Sequence, residues 1–174
     1  HLNNSGGNRI LFSYANELIS LGHSVTVYTR SPRKIRRTFA NLLQVGKPNW
    51  FPLNARVIRV SDWDTDTIAV HDHMIAGGYK EALALMEWGS ECGVSWYMVQ
   101  HDEGLYHGSR EEVDRALRSP LHKIVVSSWL ADVVRERAHQ ESHLLLNTFD
   151  RSQFFFGEKR AHDTVRILVL DHSY

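Results

Sequence analysis

His101, Asp102 and Glu103 stand together directly after the apolar run Val94-Ser95-Trp96-Tyr97-Met98-Val99. An imidazole next to carboxylates can orient a hydroxyl group and take its proton, because both groups are bases near neutral pH. The same three residues also make an ordinary solvated cap on a loop. A second group is Ser5-Gly6-Gly7-Asn8, just ahead of a helical pattern. Gly6 and Gly7 allow positive φ and close backbone approach, and the amides that open a helix favour negative charge, such as a diphosphate. A plain surface turn would use the same residues. A third group is Arg30, Arg33, Lys34, Arg36 and Arg37. Such cations hold an anionic acceptor or touch anionic lipid head groups, unless the run is only a solvated face. His71 and His73 flank Asp72 at a spacing that metallohydrolases use, but no third and fourth ligands stand out among 11 histidines. No metal is expected there.

These groups need elements to position them. Residues 9–21 carry Ile10, Leu11, Tyr14, Leu18 and Leu21 at helical steps, and Gly22 is placed to close that helix. Residues 24–29 read as a buried strand, and 30–52 as a long basic excursion with no clear period. Strands are expected at 56–60, 67–70, 94–99, 123–126 and 143–146, and helices at 74–91, 110–118 and 129–138. Ser127 is placed to cap the last helix. Alternation of strand and helix implies a parallel sheet with helices on both faces, a doubly wound, Rossmann-like α/β fold. Ligands of such folds sit at the carboxyl ends of the strands, where most of these polar groups fall. The chain opens on a loop, a helix and a strand, so the strand that begins a βαβ unit is missing from its start.

The bulk properties narrow the classes. The 174 residues are 43% hydrophobic, and 20 basic residues balance 20 acidic ones, so no global field points to nucleic acid. The longest apolar runs, such as residues 167–170, are strand-sized, short of the ~20 residues of a membrane span. The opening residues lack the basic and apolar regions of a signal peptide, and Cys92 is a single cysteine with no partner for a disulfide. A cytoplasmic location is the expectation, with contact at a membrane surface as one use of the basic cluster.

The order of motifs resembles family 4 glycosyltransferases. "SGGNRILFSYANELISLGHSVTVYT" is similar to that family's glycine loop, helix with a Gly-His end, and Val-Thr-Val-Tyr strand. "DTIAVHDHMIAGG", "WYMVQHDEGLYHGS", "HKIVVSSWLADVVRER" and "LLLNTFDRSQFF" resemble further stretches in the family's order, and together they span nearly the whole chain. Thr148 stands where the family has Gly, and His101-Asp102 where one branch has Asp-Tyr.

The resemblance implies a GT-B glycosyltransferase with its active site between two Rossmann-like halves. Residues 1–160 would be the acceptor-side half, without its first strand, and 161–174 the start of the donor half. The activity implied is transfer of a sugar from a nucleotide-sugar donor to a carbohydrate or lipid-linked acceptor, with retention and without a cofactor, and the 174 residues alone would be inactive. His101 and Glu103 would be catalytic. Gly6, Gly7, Asn8, Arg33, Arg37, His71, Asp102, Ser127 and Asn147 would bind substrate. Trp63, Trp88, Trp96 and Trp129 are core or stacking residues without an assigned role. A stand-alone nucleotide or sugar-phosphate binding module is the alternative, although its usual acidic residue at the second strand's end is replaced by Thr29-Arg30. A metal hydrolase using His71, His73 and His101 is a further one.

Overall fold

A computed structural model describes residues 2–31, 34–43, 47–66, 68–106, 108–147, 155–157, 164, 165 and 167. Within them, α1 (Gly6–Ser20) leads to β1 (Thr26–Arg30), α2 (Lys34–Leu43) and β2 (Arg56–Val60). Then come β3 (His73–Ala76), α3 (Tyr79–Trp88), β4 (Val94–Val99), α4 (Arg110–Arg118), β5 (His122–Val125), α5 (Ser128–Ala138) and β6 (His143–Leu144). Every strand pair is parallel: β1 lies beside β2, and β3-β4-β5-β6 form a second sheet in that order. The fold is the Rossmann-like α/β type that the alternation implies, with its parallel strands divided between two sheets.

Local signals set several boundaries. The Ser5 side chain caps α1 by accepting from the Asn8 amide at 3.3 Å. At the other end Gly22 has φ 91°, with its amide donating to Ile19 O and the His23 amide to Leu18 O, both at 3.0 Å. This paired closure satisfies carbonyls that the last turn would leave open. Ser127 caps α5 as expected, accepting from the Leu130 amide at 3.3 Å.

Two cores hold the chain. Phe12 and Ala15 of α1 pack on Leu53, Ala55 and Val57, with Trp50 and Phe51 around them. The larger core packs Tyr97, Val99 and Val125 of the second sheet against Tyr79, Ala82, Leu85, Val113, Leu117, Leu130 and Val134 of α3, α4 and α5. Lys123 is buried on β5, where its ammonium donates to Leu121 O at 2.8 Å, to Gln140 Oε1 at 2.7 Å and to Ser119 O. Burial pushes this lysine down to about 8, and the acceptors around it tie the α4–β5 turn to the end of α5.

The structure corrects three elements. The third strand is His73–Ala76, not 67–70: Ile68 is buried while Val70 is exposed, and pairing begins where His73 meets Val94. The helix expected at 74–91 is shorter, because Gly77 and Gly78 follow β3 and α3 starts only at Tyr79. The excursion at 30–52 contains α2, whose apolar Phe39, Leu42 and Leu43 are exposed instead of packed. Its Asn41 side chain accepts from the Arg59 amide at 2.7 Å and donates to Arg59 O at 2.9 Å, which caps the edge strand β2. Residues 148–154 and 168–174, with most of the linker match and most of the donor-half strand, lie outside the described residues.

Gly93 sets the start of β4. Its φ is 82°, and a Cβ there would stand 2.0 Å from His71 O and 2.7 Å from Asp72 O. Gly22 has a similar φ but open space around it. Gly93→Ala should therefore cost about 3 kcal/mol or more, through overlap with backbone that cannot yield. Gly22→Ala should cost only the left-handed strain of about 1–2 kcal/mol. Urea denaturation of the two variants checks this, and equal losses would show that the close approach at Gly93 is not a constraint.

Candidate functional site

The carboxyl ends of β3, β4 and β5 lead into Gly77-Gly78, Gln100 to Glu103, and Ser127. The first turn of α1 reaches the same edge: a Cβ on Gly7 would meet the Gln100 side chain at 3.4 Å, and one on Gly77 would stand 2.7 Å from Leu11 Cδ1. The glycines expected in a loop thus form the first turn of α1, and that turn and the loop after β4 are neighbours. Asn8 ties the turn to the segment before it, donating from Nδ2 to Asn3 Oδ1 at 2.6 Å and to Asn3 O at 3.0 Å.

Glu103 is the most constrained polar group at this edge. Its Oε2 accepts from the Tyr97 hydroxyl at 2.7 Å and from the Tyr79 amide at 2.9 Å, which links the end of β4 to the start of α3. A Cβ on Gly78 would lie 3.0 Å from Glu81 Oε2 and 3.1 Å from the other Glu103 oxygen, Oε1, so glycine avoids crowding the two carboxylates. Burial raises the carboxyl above its ordinary 4.5, while the Tyr97 and Tyr79 bonds and the nearby His101 pull the other way. Burial, with Glu103 adjacent, also raises the Tyr97 hydroxyl, which therefore stays a donor. A half-buried carboxyl raised above its ordinary range, with one oxygen anchored, is suited to accept a proton. His101 is exposed beside it.

Asp102 has a different task. It is buried, and its Oδ1 accepts from the Gly104 amide at 3.2 Å while Oδ2 accepts from Arg137 Nη1 at 2.7 Å. Arg110 Nη1 stands 3.6 Å from the same Oδ2. Arg137 also donates through Nε to Asp114 Oδ1 at 2.7 Å. Burial works against the Arg137 cation, and the two carboxylates more than offset it. Asp102 is thus held by protein groups on both oxygens, as a tie between the β4 loop, α4 and α5.

The remaining expected site residues divide. Gly6, Gly7, Asn8, His101, Glu103 and Ser127 come to the carboxyl edge of the strands. Asn147 lies exposed a little beyond β6, which stops at Leu144. His71 does not join them. It precedes β3 and therefore sits at the amino edge, where its Nε2 and the Tyr28 hydroxyl are 2.9 Å apart. The expected convergence of His71 with His101 fails because the strand begins after His71 instead of ending before it. For the same reason His71 and His73 cannot form a metal site with His101; His73 Nδ1 instead accepts from Trp96 Nε1 at 3.2 Å. Arg33 lies outside the described residues. Arg37 is in α2, after the carboxyl end of β1.

Tyr97, Tyr79, Gln100, Gly78 and Arg137 shape the site without having been singled out in the sequence. Gly77-Gly78 was the readable signal among them, being a glycine pair after an apolar stretch. Exposed aromatic rings add to this edge: Trp129 opens α5, and Tyr106 follows the short 3-10 turn Glu103–Leu105. Among the described residues no helix is long and apolar enough to cross a membrane. No family model, curated protein or solved structure matches this chain.

Two outcomes follow from the electrostatics. Because folding raises the Glu103 carboxyl, its contribution to stability is full below 4.5 and is lost as pH rises through the folded value. Glu103→Gln does not titrate, so wild type should lose stability relative to this variant as pH rises above 4.5, read by urea denaturation at a series of pH values. A constant difference would show that Glu103 ionises as freely in the folded chain as in the unfolded one. Arg137→Met leaves buried Asp102 with only the more distant, exposed Arg110 as a cation and should cost about 3–5 kcal/mol. The double variant Asp102→Asn, Arg137→Met should recover part of that loss, and no recovery would mean that packing, not charge, makes Arg137 important.

Proposed function

We propose that this chain is the acceptor-side half of a GT-B glycosyltransferase, in which the carboxyl edge of the parallel strands receives a carbohydrate or lipid-linked acceptor. The observation that carries the reading is Glu103, a carboxyl raised by burial, anchored through one oxygen, and set near the glycine-bearing first turn of α1. In transfer, the acceptor oxygen forms a bond to the anomeric carbon, the bond to the nucleotide diphosphate breaks, and the acceptor proton must leave. Glu103 or His101 takes that proton or orients the hydroxyl that loses it. The amides at the start of α1 favour the negative charge that develops on the diphosphate.

Two further features support the acceptor class. Trp129 and Tyr106 offer exposed rings on which a sugar face can rest. The exposed Phe39, Leu42 and Leu43 of α2, within the basic stretch after β1, suit a lipid-linked acceptor held at a membrane surface. The donor's nucleotide would be held by a second half joined after this one. Transfer needs donor and acceptor aligned in one cleft, so half a cleft should not catalyse.

The expected behaviour is specific. Titrating the 174-residue chain with glycans should shift the amide resonances of Gly7, Gln100, His101 and Glu103, while nucleotide sugars bind weakly and are not turned over. When the chain is joined to a donor-side half, Glu103→Gln should lower kcat by about 10²–10⁴ with the donor KM little changed. His101→Ala should also lower the rate more than it weakens donor binding. Tight binding of a nucleotide by the isolated chain, with no response to glycans, would favour a nucleotide-binding module. Turnover by the isolated chain would overturn the assignment as half a cleft.

A further inference from the structure

The carboxyl edge holds a second carboxylate beside Glu103. A Cβ on Gly78 would lie 3.1 Å from Glu103 Oε1 and 3.0 Å from Glu81 Oε2, so those two oxygens are separated by no more than the sum of these distances. The other Glu103 oxygen accepts from the Tyr97 hydroxyl and the Tyr79 amide, which leaves Oε1 as the one beside Glu81. Glu81 is the third residue of α3, half-buried, and lines a groove together with Leu11 of α1 and Gly77.

Two like charges this close resist each other's ionisation, and the first proton to bind belongs to the pair. The start of α3 tolerates both carboxylates, since the positive end of the helix dipole lies there. The other charged and titratable groups around Glu103 have partners of their own. Asp102 is paired with Arg137, Arg110 at the start of α4 faces Asp102 and Asp114, and Lys80 lies over the Tyr79 ring. Tyr97 stays protonated and donates to the anchored oxygen. Burial is the first cause that raises the Glu103 carboxyl, and Glu81 acts in the same direction, while His101 opposes them.

We propose that Glu81 is a positioning residue for proton transfer: its carboxylate stands with Glu103 Oε1 over Gly78, and the repulsion between the two makes Glu103 the stronger base. This role rests on the sugar-transfer reading, which supplies the proton. As the acceptor oxygen bonds to the anomeric carbon, its proton passes to Glu103 Oε1, and the bond to the diphosphate breaks with the electron pair leaving on the diphosphate. The carboxylate pair thereby loses one negative charge while the leaving group gains one. The repulsion is relieved only as the proton moves, so it favours the transition state over the bound substrate.

Carbon NMR of the glutamate carboxyls in the full 174-residue chain follows the Glu103 titration directly. Glu81→Gln should move the Glu103 midpoint to lower pH, Glu81→Lys should move it further, and Glu81→Asp, which keeps the charge, should hold it near wild type. A carboxylate that only steadies the first turn of α3 would change the melting temperature in Glu81→Gln and leave the Glu103 midpoint in place, and that outcome overturns the proposal. In the chain joined to a donor-side half, Glu81→Gln should move the acid limb of the kcat/KM profile to lower pH and lower kcat on the plateau by less than Glu103→Gln does. An unmoved acid limb beside a moved Glu103 midpoint would overturn the role of Glu81 in the rate. No sugar transfer by the joined wild-type chain, with the Glu103 midpoint still moved by Glu81→Gln, would overturn the sugar-transfer reading and the transfer role with it, while the pairing itself stands.

Discussion

The pairing of Asp102 with Arg137 holds the site together. A buried carboxylate is costly unless it is paired and hydrogen-bonded, and Asp102 is both, through Arg137 on one oxygen and the Gly104 amide on the other. Arg137 belongs to the last turn of α5 and also reaches Asp114 on α4. One guanidinium therefore fixes two helices to the loop that leaves β4. Glu103 follows Asp102 directly, so its position depends on that loop being fixed. Its bonds to Tyr97 and Tyr79 then add the strand and α3 to the same arrangement.

Parallel pairing explains why polar residues far apart in sequence share an edge. Each crossover returns the chain to the amino edge, so each strand ends at the same side and hands its following loop to that side. Glycine sets the approach distances. Gly7 lets the first turn of α1 lie on Gln100, Gly78 avoids crowding Glu81 and Glu103, and Gly93 brings the start of β4 beneath the carbonyls of His71 and Asp72. The amino edge is different in kind. There Tyr28, His71, His73 and Trp96 bond or stack among themselves.

Legibility varied with how local the signal was. Residues 56–60, 94–99 and 110–118 read correctly to the residue, because period and flanking breakers agreed there. Ser127 and Gly22 also read correctly, since capping is decided within a few residues. Residues 67–78 did not. Two short apolar stretches, Ile68-Ala69-Val70 and Met74-Ile75-Ala76, compete for one strand position, and only the register against β4 selects the second. That selection moved His71 from one edge of the sheet to the other. Helix α2 was missed because its amphipathic period is confined to ten residues that open among clustered cations, and its Phe39, Leu42 and Leu43 are exposed.

By itself the sequence determined the fold class, the alternation of parallel strands and helices, the caps, and the loops that carry chemistry after β4 and before α1. These depend on side-chain period and on backbone preferences that act over a few residues. Only the tertiary structure decided that Asp102 is a tie through both oxygens while Glu103 is anchored through one and has the other beside Gly78, since the difference lies in Arg137, Tyr97 and Gly78, brought there by packing. It also decided that the parallel strands divide between two sheets. Strand pairing joins residues distant in the chain, and no local preference specifies which edges meet.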